Sequence, residues 1–199
     1  MTTIGLSTLR GCSLRIGAYP GFRYDASEGS GLSQTSTPLS NELQPLLFSA
    51  QTLVIPPLDW RTTRCLGLPL PPGLRITIET RELAGSINLR SGEVNLHFQA
   101  LFHFSAGELY RPPALEISTS LVTTTAEGRR HRARGTAMGP DGQAVLVGVA
   151  RVPPSGDNLL DRFLGLPDEA LALLRCRFSG TDGMPFPPAP PPDQSGQAR

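Results

Sequence analysis

Histidine is the first residue type to consider for metal or proton-transfer chemistry, and the chain has three: His97, His103 and His131. His97 and His103 share one face of an alternating segment, but six residues of extended chain place them about 20 Å apart. Two ligands of one ion cannot be separated by that distance. The sequence therefore predicts no metal site and no metal cofactor.

Motifs for the common catalytic chemistries are also missing. The sequence has no G-x-S-x-G elbow and no phosphate-binding glycine motif, and all 18 basic residues are arginine, which excludes lysine-based catalysis. Paired carboxylates occur only as Asp168-Glu169 and as Asp157 with Asp161. Capping of a helix explains these pairs at least as well as acid–base catalysis does. A non-enzymatic protein without a cofactor is expected.

The three cysteines, Cys12, Cys65 and Cys176, are widely spaced and include no C-x-x-C pair. This pattern predicts free thiols in a reducing compartment rather than a disulfide scaffold. An enzyme is an alternative only if the fold brings groups such as His97, Cys65 or Asp161 together in one cleft.

The strongest local charge feature is the run Arg129–Arg134. If the run is a strand, Arg130, Arg132 and Arg134 share one face and can bind the phosphates or carboxylates of a partner. No aromatic residues alternate with them, which disfavours nucleic acid. The alternative is a solvated face that protects a sheet edge from pairing.

Polar residues form the second face of the segment 94–104, where Asn95, His97, Gln99 and His103 alternate with apolar residues. If this strand lines a barrel, these side chains could orient the head group of a ligand. The alternative is that the face meets water. Trp60, in a proline-rich stretch, is expected either to cover the core or to stack on a ligand.

The elements that would position these residues are predicted to be strands, because period-two alternation and turn signals dominate the chain. Residues 74–79 and 86–89 alternate, and after Ser91-Gly92 six apolar residues from Val94 to Phe104 alternate without interruption. This pattern predicts a hairpin whose apolar face is buried, with Gly92 supplying a positive φ in a two-residue loop. Further strands are predicted at 115–124, 129–138 and 143–152.

A change to offsets of three and four predicts helix from Asp157 to Leu174. Asp157 is the expected N-cap, and Gly165 and Pro167 divide the segment into two pieces. Strand is expected to return at Leu173–Phe178. The fold class is thus mainly β, an antiparallel barrel or sandwich of about 7–9 strands, with a short broken helical insert near 157–174.

The domain organisation follows from composition. Residues 1–25 are an N-terminal segment that either forms a first strand or is a cleaved transit-like peptide. Residues 26–41 are small and polar and predict a flexible loop, 42–180 a single β-rich domain, and 181–199 a disordered proline-rich tail. No apolar run approaches the ~20 residues that span a bilayer, so a soluble, cytoplasmic protein is expected.

Two stretches, SINLRSGEVNLHFQALFHFSAGELYRPP (86–113) and LVGVARVPPSGDNLLDRFLGLPDEALALL (146–174), resemble a family of uncharacterised β-rich proteins from cyanobacteria and plastids. The resemblance rests on the strand alternation and on the V-P-P-S-G-D and L-P-D-E-A-L phrases. It implies a photosynthetic setting, either the cyanobacterial cytoplasm or the thylakoid surface, and assigns no active-site residues.

Two functions fit these observations. The first is a non-catalytic binding protein of the barrel type that holds a lipophilic or amphipathic small ligand. The second is an assembly or interaction protein for a photosynthetic complex, acting through a sheet edge, the arginine strand or the proline tail. Whether the β unit encloses a cavity or a solid core decides between them.

Overall fold

The computed structural model describes residues 3–17, 21–34 and 43–180, so the predicted disordered tail at 181–199 lies outside the described residues. The described chain is mainly β, as the sequence predicts, with antiparallel strands and one short helix, α1 (Asn158–Leu164). The strands are β1 (Thr3–Thr8), β2 (Cys12–Ile16), β3 (Gly21–Tyr24), β4 (Ser30–Gln34), β5 (Leu43–Phe48), β6 (Thr63–Cys65), β7 (Leu68–Pro69), β8 (Leu74–Asn88), β9 (Val94–Ala106), β10 (Leu115–Val122), β11 (Thr125–Glu127), β12 (Arg132–Arg134), β13 (Gln143–Val152) and β14 (Asp168–Ser179).

Eight of these strands are hydrogen-bonded in a ring. Their order is β1-β4-β5-β8-β9-β10-β13-β14, and β14 pairs again with β1. The predicted hairpin is the β8–β9 ladder, in which Ile87 pairs with Val94 and Leu74 with Ala106. Its loop spans 89–93 rather than two residues, because the Asn88 N–H bonds to the Glu93 carbonyl at 2.8 Å, and Gly92 has the expected positive φ of 70°.

Strand β14 has two partners along one edge, and the sheet divides there. Its Cys176–Ser179 part pairs with β1, whereas its Ala170–Leu173 part pairs with β2. From β2 the sheet continues through β3, β6 and β7. An isolated bridge between Leu58 and Ile76 connects the chain before β6 back to β8.

Two hydrophobic clusters fill the interior, one at each end of the strands. The first surrounds Leu96, Leu146 and Phe178, which are 0% exposed, and lies within the eight-strand ring. The second surrounds Phe22 and Phe104 and includes Leu164 of α1. The helix therefore packs against the end where the sheet divides.

Helix α1 begins as the sequence predicts and ends earlier. The Asp157 carboxylate accepts the Leu160 N–H at 2.8 Å, and Gly165 ends the helix with a left-handed φ of 69°. Ser155 of the V-P-P-S-G-D phrase bonds the Asp161 carboxylate through its N–H and its hydroxyl, at 2.7 and 2.5 Å. The phrase is thus a helix start.

The predicted second helical piece at 168–174 is wrong, because these residues belong to β14. The alanines and leucines favour helix in isolation, but their backbone is part of the ladder with β13. This ladder runs from Asp168, which pairs with Val152, to Arg177, which pairs with Gln143. The other edge of the same residues pairs with β2. Hydrogen bonding on both edges overrides a propensity of a few tenths of a kcal/mol per residue.

The predicted flexible loop at 26–41 is corrected for its first half, which contains β4. Its small residues serve close packing: a Cβ on Gly31 would meet Leu53 and Phe48, and the Ser33 hydroxyl accepts the Leu47 N–H at 3.0 Å. Residues 35–41 lie outside the described part of the chain. The segment 1–25, expected to hold at most a first strand, contributes three strands to the same sheet as 43–180.

Candidate functional site

An apolar cavity of about 160 Å³ lies between the two hydrophobic clusters. Its wall includes Leu96 and Leu121 from the first cluster and Leu58 and Ala170 from the second. The clusters do not meet at this level, and the cavity occupies the space between them.

Four small residues on two paired strands form one side of the cavity. On β13 and β14, Gly148 pairs directly with Ala172 and Ala150 with Ala170, and all four line the cavity. Larger side chains at these positions would project into the space. The cavity therefore lies where small residues occupy the inward-facing positions of both strands.

Aromatic and branched side chains form the opposite side. Phe98 and Phe102 of β9 have the inward parity of the buried Leu96 and Phe104, yet both retain accessible surface. Ile117, on the paired strand β10, also retains accessible surface. All three residues line the cavity.

Three hydroxyl groups in the cavity wall are bonded within the protein. The Tyr24 hydroxyl donates to the Pro56 carbonyl, the Thr8 hydroxyl to the Ala26 carbonyl, and the Thr119 hydroxyl to the Val149 carbonyl at 2.9 Å. Burial raises the pKa of Tyr24, with a smaller contribution from nearby Cys12, and burial likewise raises the pKa of the Cys12 thiol. The wall is therefore uncharged at neutral pH, and it favours apolar surface over ions.

A short irregular segment closes one side of the cavity. Residues 53–58 all line it except Pro57, and Val54 is 55% exposed to solvent. The segment is held by two isolated bridges, one between Ser30 and Val54 with bonds of 2.9 and 2.7 Å, and one between Leu58 and Ile76 with two bonds of 2.9 Å. The cavity thus has one wall outside the continuous ladders.

The polar face of β9 lies outside the ring, so of the two alternatives for this face it is the one facing water that the structure has. Asn95, His97 and His103 are exposed, and Gln99 donates to Glu116 at 2.7 Å. His103 Nε2 lies 3.0 Å from a Glu79 carboxylate oxygen. The apolar residues of β9 take the inner face, because a strand with alternating polarity buries its apolar side.

Trp60 neither covers the core nor lines the cavity. It is 51% exposed, and the Arg61 guanidinium stacks on its ring at 4.9 Å from the centroid. The indole is therefore displayed on the surface beside a cation.

The arginine run forms a hairpin tip rather than the long strand predicted at 129–138. Only β12 (Arg132–Arg134) is strand, paired with β11. Arg130 pairs with Asp168 at 3.0 Å and Arg132 with Glu127 at 3.6 Å, while Arg134 is exposed. The three guanidiniums are thus partly committed to carboxylates of the protein.

A buried carboxylate holds this hairpin. Glu169, 6% exposed, accepts the backbone N–H groups of Arg129, Arg130 and His131 at 2.8, 3.2 and 3.1 Å. Burial by itself would raise the pKa of Glu169, but the three N–H donors outweigh it and lower the pKa. His131 Nε2 is buried as well, and it has no hydrogen-bond partner within the described part of the chain.

Residues that would have indicated an enzyme lie on different elements. His97 is on the outer face of β9, Cys65 is half-buried in β6, and Asp161 is bonded to Ser155 in α1. Cys12 is the cysteine that lines the cavity. Within residues 3–17, 21–34 and 43–180, no group of three or more potential metal ligands lies together.

The residues of the cavity that sequence analysis missed are the small ones. Small residues occupy alternate positions in two apolar segments, at Gly148 and Ala150 and at Ala170 and Ala172. In a strand, such a pattern predicts unfilled volume on the inner face. The second segment also has the three- and four-residue spacing of a helix, which conceals the alternation. The outer face of β9 has the stronger polar pattern, although it lies outside the ring.

Comparison with protein-family models, with curated proteins and with solved structures found no match for this chain. Among the described helices, none is long and apolar enough to cross a membrane.

Proposed function

We propose that this chain is a non-catalytic binding protein that takes a small apolar molecule, or the apolar end of an amphipathic one, into the cavity between its two hydrophobic clusters. The observation that supports the proposal is the cavity itself, about 160 Å³ and apolar on nearly all of its surface. An uncharged wall with internally bonded polar groups offers a ligand no salt bridge, so binding depends on apolar contact.

The size of the cavity defines the class of ligand. Drug-sized ligands occupy pockets of about 300–1,000 Å³, whereas a cavity of about 150 Å³ lined by Leu, Ile and Phe stays dry and binds benzene. A single ring or a short stretch of acyl chain matches the space. A larger ligand would extend past residues 53–58, where the wall is not part of a ladder.

The proposal is tested by filling the cavity. Ala172→Leu places three additional carbons on the inner face of β14, in the space that a ligand would use. Ala84→Leu is the matched control, because Ala84 pairs with the exposed His97 and lies on the outer face. Titration calorimetry with a single-ring apolar probe, toluene, measures binding to the whole chain, and mass spectrometry of an organic extract identifies molecules carried through purification.

The expected result is probe binding by wild type and by Ala84→Leu, at least ten-fold weaker binding by Ala172→Leu, and an unchanged melting temperature for Ala172→Leu because the cavity has room. Equal probe binding by all three proteins would place the probe elsewhere. Absence of binding to wild type, together with an empty extract, would overturn the proposal.

The hairpin at 128–134 favours a second candidate, an interaction protein for a larger assembly. Glu169 fixes its tip, and Arg134 has no carboxylate partner within the described residues. Together with the resemblance noted above, this suggests a photosynthetic complex as the partner and the cytoplasm or thylakoid surface as the location. Affinity capture with wild type and with Arg130, Arg132 and Arg134 changed to Ala tests it, and identical sets of partners would reject this surface.

A further inference from the structure

The last strands of the divided sheet present an exposed edge of arginines and leucines that no part of the cavity uses. We propose that this edge, defined by Arg23, Arg64, Leu66 and Leu68, docks on an anionic lipid bilayer. The proposal concerns a surface separate from the cavity and does not depend on what the cavity binds.

The first observation is an uncompensated pair of like charges. Arg23 of β3 and Arg64 of β6 are directly opposite each other in the ladder, and both are exposed. Like charges at such positions destabilise a sheet, and Arg23 has no carboxylate partner within the described chain. Among the described residues, the Arg64 side chain has one acceptor, the Gly67 carbonyl, at 3.5 Å from Nη1. An external anion would relieve the repulsion.

Neighbouring carboxylates do not neutralise the pair. Asp25 is bonded to Arg10 at 3.2 Å, and within the described residues neither Arg23 nor Arg64 forms an ion pair with a carboxylate. From residue 60 to residue 78 the sequence contains no acidic residue. The edge therefore has a net positive charge although the whole chain carries only +1.

The second observation is the turn between β6 and β7, which displays leucine at a strained position. Leu66 and Gly67 form a two-residue turn with φ of 54° and 86°, and Leu66 is the non-glycine residue with positive φ among those described. Asn or Asp is typical there, because a side chain such as leucine is strained in this conformation. Leu66 is nevertheless 64% exposed and Leu68 71% exposed.

The third observation lies at the other end of β6. Trp60 and Arg61 stack there on the surface, with the guanidinium 4.9 Å from the ring centroid. Tryptophan and arginine are typical of the bilayer interface, where an amphipathic ring sits at head-group level and a cation meets lipid phosphate. Arg64 pairs with Pro69 and Leu68 with Cys65, so Arg64 and Leu68 lie on opposite faces, and a bilayer that meets the free edge contacts both. Exposed leucines, an exposed tryptophan and two arginines within residues 60–68 match the chemistry of an anionic bilayer surface.

Other partners fit this edge less well. Single-stranded nucleic acid is bound by a series of stacking aromatics, and Trp60 is the single tryptophan of the chain. A peptide adding a strand would need a long free edge, but β7 has two residues and one of them is Pro69, which has no N–H to donate.

The experiment uses the full chain and the emission of Trp60, which is the natural reporter. Vesicles of phosphatidylglycerol and phosphatidylcholine in equal parts are compared with vesicles of phosphatidylcholine alone. We expect binding to the anionic vesicles, a blue shift of Trp60 emission, quenching by brominated lipid, and loss of binding as salt is raised. Polyuridylic acid in place of vesicles should produce no shift.

Two double variants separate charge from apolar contact. Arg23→Gln with Arg64→Gln should weaken binding by about five-fold for each arginine. Leu66→Asn with Leu68→Asn should remove the blue shift, while the fold is retained because Asn tolerates the positive φ at position 66. The controls are Arg111→Gln with Arg162→Gln, and Leu32→Asn with Leu47→Asn, which change exposed residues elsewhere.

Vesicle binding that depends on both pairs, and on neither control, supports the proposal. No binding of wild type at low salt would overturn it, as would equal binding by the leucine variant or equal binding to the polynucleotide. The cavity-filling change Ala172→Leu should leave vesicle binding unchanged, so failure of the cavity proposal is distinguishable from failure of this one.

Discussion

At the scale of single residues, several positions are fixed by space rather than by chemistry. Gly85 of β8 pairs with Leu96, and a Cβ there would overlap the carbonyl oxygen of Asn95 in the backbone of β9. Gly21 of β3 is different, because a Cβ there would meet no atom of the described residues within 4 Å. Both glycines lie in strands and neither has a positive φ. The two positions therefore differ only in the atoms that a Cβ would meet.

We therefore expect Gly85→Ala to lower the free energy of unfolding by about 3 kcal/mol, because the β8 and β9 backbones would have to separate. Gly21→Ala should change it by less than about 0.5 kcal/mol. Urea unfolding of the two variants measures both values. Equal values for the two variants would show that β8 and β9 are not packed as closely as described.

At the scale of elements, β14 organises the molecule. It pairs with β13 on one edge and with both β1 and β2 on the other, and its Glu169 binds the tip of the β11–β12 hairpin. One strand thus connects the ring, the divided end and a separate two-stranded sheet. A carboxylate with three backbone donors is a strong local constraint, because removing it leaves buried N–H groups without an acceptor.

Replacing Glu169 with Gln should destabilise the protein by about 2 kcal/mol at pH 7, because a neutral amide oxygen accepts the same bonds more weakly. The folded-state pKa of Glu169 lies below its ordinary value of 4.5. The stabilisation is therefore complete above pH 4.5 and is lost as the pH falls through the folded pKa.

Thermal unfolding from pH 7 to pH 3 tests this sign. The difference in melting temperature between wild type and Glu169→Gln should shrink on acidification. Glu93→Gln, at an exposed glutamate, is the control and should follow wild type throughout. A difference that stays constant with pH would mean that the Glu169 charge does not hold the hairpin.

At the scale of the whole molecule, the cavity exists because the two hydrophobic clusters are not continuous. Long ladders surround most of it, whereas residues 53–58 are attached by the two isolated bridges. Local opening requires the fewest hydrogen bonds at that segment. It is therefore the expected route by which an apolar molecule reaches the cavity.

Hydrogen exchange measures this directly. The amides of Ser30 and Val54, which form one of the bridges, should exchange at least ten-fold faster than those of Leu96 and Thr119 in the β9–β10 ladder. Saturation with an apolar probe should slow the exchange at Val54 and leave the ladder unchanged. Equal protection at both places in the free protein would exclude opening at this segment.

The strands with clear alternation could be predicted from the sequence. Val94 to Phe104, the hairpin before it, and 143–152 have the elements and buried faces that their patterns predict, and Asp157 starts the helix as expected. These signals are local, because the pleat itself places alternate side chains on opposite faces.

Tertiary structure decided the rest. Residues 168–174 have the composition of a helix and are a strand, because β13 and β2 offer hydrogen bonds on both edges. Residues 30–34 have the composition of a loop and are a strand, because Gly31 and Ser33 fit under large neighbours. In both segments, the residues that determine the conformation are distant in the sequence.

The sequence by itself determined the β class, the hairpin, the start of the helix and the lack of recognisable catalytic motifs. Only the tertiary structure decided that a cavity lies between the two hydrophobic clusters and that the apolar face of β9, not its polar face, meets it. It also placed Arg23 opposite Arg64. The physical reason is that a pattern fixes which face of a strand is buried, whereas volume and charge pairing depend on which residues the ladder places side by side.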